Sequence, residues 1–279
     1  MSGGEKERPM RIDSIADLLD PVREAGGRAL AKQKKLGREE RKYKADDSVV
    51  TPVDKEIEDF LSAGIGAVFP GANILAEETH RSFDGEKAYT FALDPIDGTD
   101  VFSQGMPNWC LSVGLLDRRW NPIAGIIYAP ALECLVFADI GRRTVRNGAE
   151  LVLSPKPESL SSRTNIMVSS RIHKEADLRG YPGRIRSLGS AALHLISPLI
   201  YPGVSATLEG SGVHIWDIAG AHAIHRALGL DFEFLRGGRV EYRKLIDGSP
   251  VRDLLLAGYP GPVNELKKVV KKIEAAFGK

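Results

Sequence analysis

Two aspartates flank a proline and run into a glycine and a threonine, Asp94-Pro95-Ile96-Asp97-Gly98-Thr99, at the end of an apolar stretch that closes with Leu93. Carboxylates at this spacing suit a hard cation. Pro95 fixes one φ, and Gly98 permits a turn sharp enough to aim backbone amides at an anion, so one segment can hold cations and a phosphate together. A lone Asp-Gly pair would read as a surface turn capped by its own side chain. Further acids stand in apolar settings, however: Glu77 and Glu78 follow Ile74-Leu75-Ala76, and Asp217 follows Val213-His214-Ile215-Trp216. Buried carboxylates cost several kcal/mol unless paired or coordinated. Apolar flanks offer few cations to pair with them, which makes coordination the simplest account.

Magnesium takes oxygen ligands in near-octahedral geometry and keeps several waters, so three or four carboxylates and a backbone carbonyl suit one to three such ions. Other chemistries fail on spacing. A helix-loop-helix calcium loop needs glycine sixth and glutamate twelfth, whereas counting from Asp94 puts glycine fifth and Gly105 twelfth. Aspartyl-phosphate enzymes need Asp-x-Asp, and two residues separate Asp94 from Asp97. A cysteine phosphatase needs arginine six residues after its nucleophile, where Cys110 and Cys134 have Leu116 and Ile140. Gly210-Ser211-Gly212 lacks the last glycine of a dinucleotide fingerprint, Ile215 standing in its place, and no Gly-Lys-Ser/Thr phosphate loop occurs. His222 and His225 lie one turn apart without a third ligand at zinc spacing, and are read as interface or surface histidines.

The elements that must position these acids follow from periodicity. Apolar spacing predicts helices over 12–30, with Ile15, Leu18, Leu19, Val22 and Ala25 on one face, and over 54–68, closed by Pro70-Gly71. Strand patterns occupy 89–93, 111–116, 123–128 and 135–140, and Asn147-Gly148 signals a two-residue hairpin between 144–145 and 151–153. Beyond Pro155-Lys156-Pro157, apolar runs at 165–168, 206–208, 232–235 and 254–256 alternate with helical patterns at 190–197, 216–228 and 263–277. This alternation predicts an α/β lobe, 158–279, carrying Asp217. A short hinge near 154–160 would join it to an α+β lobe, 1–157, carrying most of the acids.

At 279 residues, 43% hydrophobic, the chain can bury a large core. A formal net charge of +1 gives no excess that would mark a nucleic-acid or membrane surface. The basic stretch Lys32, Lys34, Lys35, Arg38, Arg41, Lys42 and Lys44 reads as a solvated helix face. Cys110 and Cys134, both in apolar strand-like stretches, fit a reducing compartment better than a disulfide framework. Residues 1–10 lack the apolar core of a secretory signal, and no apolar run is long enough to span a bilayer, so a cytoplasmic location is expected.

The chain resembles the inositol monophosphatase family of magnesium-dependent, lithium-sensitive phosphatases, which includes bisphosphatases acting on sugars and nucleotides. The likeness rests on five pieces in the family's order: Ser48-Val49-Val50-Thr51-Pro52-Val53-Asp54, Ala76-Glu77-Glu78-Thr79, Leu93 to Thr99, Gly189-Ser190-Ala191-Ala192, and Trp216-Asp217-Ile218-Ala219-Gly220. It implies a layered αβαβα sugar-phosphatase-like fold with two lobes, and a homodimer. It also implies two or three magnesium ions. Glu77, Asp94 and the Ile96 carbonyl would hold the first, and Asp94 would bridge to a second held by Asp97 and Asp217. Adjacent residues of an extended segment point to opposite sides, so only one of Glu77 and Glu78 should reach the metals, and the resemblance selects Glu77.

The same resemblance makes Asp54, Thr99 and Glu77 the catalytic residues, with Asp54 and Thr99 touching each other and activating the attacking water. The amides of Gly98 and Thr99 would meet the phosphate. Asp97, Gly189, Ser190, Ala191, Glu209 and Asp217 would face the substrate, with Glu209 at its polyol end. The implied reaction is hydrolysis of inositol monophosphate or a similar small polyol phosphate. Fructose 1,6-bisphosphate and 3′-phosphonucleotides are alternative substrates, because the stretch 209–216 is one residue longer than inositol enzymes usually have and Asp100 is an unusual acid beside the phosphate. A regulatory binding protein with weak catalysis ranks below both.

Overall fold

The computed structural model describes residues 14–37, 41–44, 48–79, 83–153, 155 and 158–273. The first half folds as α1 (Leu19–Gln33), β1 (Lys42–Tyr43), β2 (Val49–Val50), α2 (Pro52–Val68), β3 (Asn73–Ala76), β4 (Tyr89–Asp97), α3 (Thr99–Ser103), β5 (Cys110–Asp117), β6 (Pro122–Ala129), β7 (Cys134–Ala138), β8 (Thr144–Arg146) and β9 (Ala149–Glu150). The second half continues as β10 (Asn165–Val168), β11 (Ala176–Asp177), β12 (Arg184–Arg186), α4 (Ala191–Ile200), β13 (Val204–Glu209), α5 (Ile215–Ala227), β14 (Asp231–Phe234), β15 (Leu255–Gly258), α6 (Pro260–Val269) and β16 (Lys271–Lys272). A seven-stranded sheet runs β3-β4-β5-β6-β7-β8-β9, and a five-stranded sheet runs β12-β10-β13-β15-β14.

Strand alternation explains the layering. On β4, Phe91 and Leu93 share a core with Val22 and Ala25 of α1 and Ile57 and Leu61 of α2, while Ala92 points the other way into a core with Leu193 of α4 and Ile218 of α5. That second core also takes in Leu255 and Ala257 of the smaller sheet, whose opposite face packs Ile166, Leu208 and Leu256 against Val263 and Leu266 of α6. The fold is therefore helices, sheet, helices, sheet, helix. Because β4 is covered on both faces, it is buried from Thr90 to Asp97 and shows no polar alternation.

The seat of α5 is made of bare backbone. A Cβ at Gly114 would lie 2.6 Å from the Ala219 Cβ, and one at Gly125 would lie 2.2 Å from the Gly220 carbonyl oxygen. The Ala-Gly of the Trp-Asp-x-Ala-Gly run thus lets α5 settle directly onto β5 and β6, and this fixes how near its first turn comes to β4.

Differences from the expected elements have local causes. Thr51 and Pro52 start α2 earlier than 54, because Thr51 caps it and Asp54 closes a capping box with the Thr51 amide. Strand β4 extends four residues past Leu93 to Asp97. The hairpin at Asn147-Gly148 forms, with Asn147 at φ 49° and Gly148 at φ 85°, but its second strand is Ala149–Glu150, and 151–153 is not a strand. The last helix occupies 260–269 and gives way to β16, which pairs with β11. The smaller sheet is mixed, with β10 parallel to β12 and β13, and β15 antiparallel to β13 and β14. The expected helix start at 12, its end at 277, Arg38, and 154, 156 and 157 of the expected hinge lie outside the described residues.

Candidate active site

Asp94 and Asp97 are three residues apart on β4, yet they face the same side. The ladder with β5 pairs Asp94 with Ser112 and Asp97 with Cys110, so three steps on one strand match two on the other. This bulge at Pro95-Ile96 inserts the extra residue that returns Asp97 to the face of Asp94. Asp217 arrives from the first turn of α5. It accepts the His214 amide at 2.6 Å as a cap, and the Ser112 hydroxyl anchors that turn by donating to the Trp216 carbonyl at 2.8 Å. One carboxylate oxygen from each of Asp94, Asp97 and Asp217 lies within 4.8 Å of the others.

The second pair also meets. Thr99 Oγ1 stands 2.8 Å from Asp54 Oδ1 and 2.9 Å from the Ile96 carbonyl, so its single proton faces two acceptors. The other oxygen of Asp54 accepts the Thr51 amide at 2.8 Å and hydroxyl at 2.7 Å. Gly98, at φ 90°, caps α3 and makes the turn between Asp97 and Thr99 that only glycine adopts without strain.

Asp97 and Asp94 differ in their support. Asp97 accepts the Ala192 amide at 2.6 Å, the Ala191 amide at 3.2 Å and a short hydrogen bond from Ser190 Oγ, all at the start of α4. Asp94 accepts the Ile96 amide at 2.9 Å. Burial, then Glu77, Asp97 and Asp217, push the Asp94 carboxyl well above its ordinary range. Burial and Asp217 push Asp97 up to about 7 despite its donors, and burial pushes Asp54 up to about 6. A buried set of acids that repel one another in this way is one that cations would relieve. The donor set is all oxygen, which fits magnesium.

Glu77 and Glu78 are held by a cation the sequence did not suggest. Lys44 Nζ donates to Glu77 Oε1 at 2.8 Å and to Glu78 Oε1 at 2.6 Å. Both glutamates therefore reach one partner, because the segment bends after β3 and the strict alternation of an extended strand lapses. Burial opposes the charge on Lys44, but the two glutamates outweigh it and raise its pKa. Glu77 is pushed up to about 8 by burial, against the pull of Lys44 and with further push from Asp217 and Glu78. The close contacts of Lys44 argue for a charged ammonium shared between the two carboxylates. The basic stretch is thus only in part a solvated face: Lys34 and Lys35 are exposed at the end of α1, whereas Lys44 enters the site and Arg41 forms a short ion pair with Asp100.

Two further groups were missed. Glu58 is buried one turn after Asp54 and accepts the Glu78 amide at 2.6 Å. Its position in the stripe Val53, Asp54, Ile57, Glu58, Leu61 was the available signal. His194 is buried against Glu209, with Nδ1 and Glu209 Oε2 at 2.8 Å, while Glu209 Oε1 accepts the Gly210 amide at 3.2 Å. Gly189, at φ 94°, lies beside Gly98, where a Cβ would approach the Gly189 carbonyl to 3.2 Å. His222 and His225 are not surface residues. His225 donates within the core to the Leu195 carbonyl at 2.7 Å, and His222 stacks on Phe232 and bonds the Tyr242 hydroxyl at 2.9 Å.

The sequence profile of the inositol monophosphatase family matches residues 20–255. The chain belongs to this family. Among relatives of this inositol monophosphatase family member, the inositol monophosphatase of Dictyostelium discoideum is 25% identical over 252 residues, 85% of this chain and 90% of the relative. The 3′(2′),5′-bisphosphate nucleotidase CysQ of Buchnera aphidicola is 27% identical over 213 residues, 72% of this chain and 76% of its own. The extragenic suppressor protein suhB of Bartonella henselae shares the fold, with a TM-score of 0.76, 21% identity, and coverage of 91% of this chain and 96% of that one. Family members are phosphomonoester hydrolases, and this chain is a phosphatase. No helix among the described residues is long and apolar enough to cross a membrane.

Proposed function

We propose that the protein hydrolyses a small phosphate monoester in a magnesium-dependent reaction, with a polyol monophosphate such as inositol monophosphate as the first substrate to test. The observation that carries this reading is the meeting of Asp94, Asp97 and Asp217 within 4.8 Å, from the larger sheet and from α5. In this reading Glu77, Asp94, the Ile96 carbonyl, Asp97 and Asp217 would hold two or three magnesium ions, whose chemistry is to neutralise the phosphate oxygens and make a bound water nucleophilic. Asp54 and Thr99 form one unit. With Asp54 ionised, the Thr99 hydroxyl is oriented by its carboxylate and can pass the proton of the attacking water toward it. The amides of Gly98 and Thr99 would receive the phosphate, and Ser190 and Ala191 would border the rest of the substrate. The division into lobes at 157/158 then has each lobe supply part of one site.

A second reading has a specific support. A cavity of about 390 Å³ lined by Leu75, Ala76, Thr79, Phe83 and Trp216, chain neighbours of Glu77 and Asp217, offers apolar and aromatic surface to a nucleobase. The relative CysQ bears a bisphosphate nucleotidase name. A phosphate-release screen across inositol phosphates, fructose 1,6-bisphosphate and 3′-phosphoadenosine 5′-phosphate decides between them. Release restricted to the nucleotide would replace the polyol reading, and no release from any ester with magnesium would leave only the regulatory one. Millimolar lithium should inhibit, since a monovalent ion in the Asp94, Asp97 and Asp217 cluster supplies half the charge. Full activity at tens of millimolar lithium would remove that assignment. The two free cysteines support a reducing, cytoplasmic setting, and sedimentation would test the homodimer.

A further inference from the structure

His194 and Glu209 are polar groups buried beside the site; His194 has no task in the reading above, and Glu209 only the polyol contact that the family resemblance implies. The side chains are 2% and 4% exposed. The hydrogen bonds around the imidazole determine its proton. The amides of Leu188 and Gly189 both donate to Nε2, at 2.8 Å and 3.1 Å. An amide N–H cannot accept, so Nε2 is bare and the proton sits on Nδ1, where it is donated to Glu209 Oε2. Glu209 therefore selects the tautomer, and the tautomer holds the turn. That turn is tightly placed: a Cβ on Gly189 would come within 2.5 Å of Val101 Cγ1 in α3, and the next three residues supply Ser190 Oγ and the amides of Ala191 and Ala192 to Asp97.

We infer that His194, oriented by Glu209, is a positioning residue for Asp97, setting the turn 188–192 whose donors aim that carboxylate. The inference rests on reading Asp97 as a cation ligand. It gives Glu209 a task other than meeting a polyol, since one of its oxygens serves His194 and the other the Gly210 amide. Partners that orient a ligand typically matter by about 10- to 100-fold in affinity or rate.

The test compares Glu209→Leu with Glu209→Gln on two esters, a polyol phosphate and phenyl phosphate, whose leaving group has no hydroxyl on a polyol. Manganese binding is followed by calorimetry and the imidazole tautomer by nitrogen NMR, with His194 assigned from its absence in His194→Gln. Glu209→Leu should lower turnover about tenfold or more on both esters alike, weaken manganese binding and disturb the tautomer. Glu209→Gln should recover most of the loss, because a carboxamide oxygen still accepts from Nδ1–H and only the longer contact with the Gly210 amide, at 3.2 Å, is given up. Three results would overturn the inference: a loss confined to the polyol ester and expressed in KM, a Gln variant as poor as the Leu variant, or a wild-type ring protonated on Nε2. That last measurement needs no variant to fold. If the wild-type chain hydrolyses neither ester, the phosphatase reading fails separately, and manganese binding and the tautomer still decide the role of His194.

Discussion

Helix α5 carries two buried polar clusters that solve burial in opposite ways. At its first turn Asp217 joins Asp94 and Asp97, and burial together with the neighbouring acids pushes Asp94 and Asp97 toward their protonated forms. Two turns later His222 and His225 are stripped of charge, held down to about 3 and about 4 by burial, with one hydrogen bond each, to Tyr242 and to the Leu195 carbonyl, and with His222 stacked on the Phe232 ring. The histidines reach neutrality by releasing protons and then pack as aromatic core. The carboxylates can reach it only by taking up protons or cations. Burial alone therefore does not mark a site; like charges gathered where the fold supplies too few donors do.

The sharpest way to break this comparison is to remove one acid. Asp94→Asn should lower turnover ~10³-fold or more at saturating magnesium, since it would touch both ions. His225→Gln should leave turnover nearly intact while lowering the melting temperature, and equal kinetic damage from the two would erase the distinction. Next in size, Thr99→Ala should cost about 10²-fold in turnover with little change in KM, and Asp54→Asn the same. The double variant should be little worse than either; additive losses would show that they do not act as one unit.

Smaller effects separate the clusters by pH. Asp54, Glu77 and Asp97 have raised values of about 6, 8 and 7 against ordinary carboxylate values near 4. The metal-free folded chain thus keeps protons that the unfolded chain has released, and its stability falls as pH rises from about 4 to about 8. Magnesium should remove that slope, bind more tightly as pH rises and release protons, seen as a buffer-dependent heat in calorimetry. The histidines slope the other way. Their folded values lie below 6.5, so stability falls as pH drops under about 6.5, when the unfolded chain takes up protons that the folded one refuses. His222→Phe should flatten only this acid limb, by a few degrees in Tm. An unchanged acid limb would place the charge penalty elsewhere.

Much of this was legible before the structure. Asp94, Asp97 and Asp217 stood out because acids in apolar runs need a reason, and β10, most of β5 and β6 and half of β13 were marked by local pattern. Lys44 was not legible, because nothing near it in sequence says that the β1–β2 segment crosses to Glu77 and Glu78. The histidines were misread for a related reason: on α5 nearly every position is covered, by a sheet on each side, so no polar face exists to contrast with the buried one. The end of the last helix was overrun because its apolar spacing continues past Val269, while β16 depends on a distant partner in β11.

The glycine seat under α5 bears on which ion the site prefers. Ligand type leaves magnesium, manganese and calcium all eligible, and what separates them is radius. Asp217 rides on the helix that Gly220 seats against Gly114 and Gly125, so a methyl group at 125, which would meet the Gly220 carbonyl at 2.2 Å, should push α5 and Asp217 outward. If the cluster holds the ions proposed for it, discrimination between small and large ones would be written in carbon atoms missing from two strands, away from the carboxylates themselves.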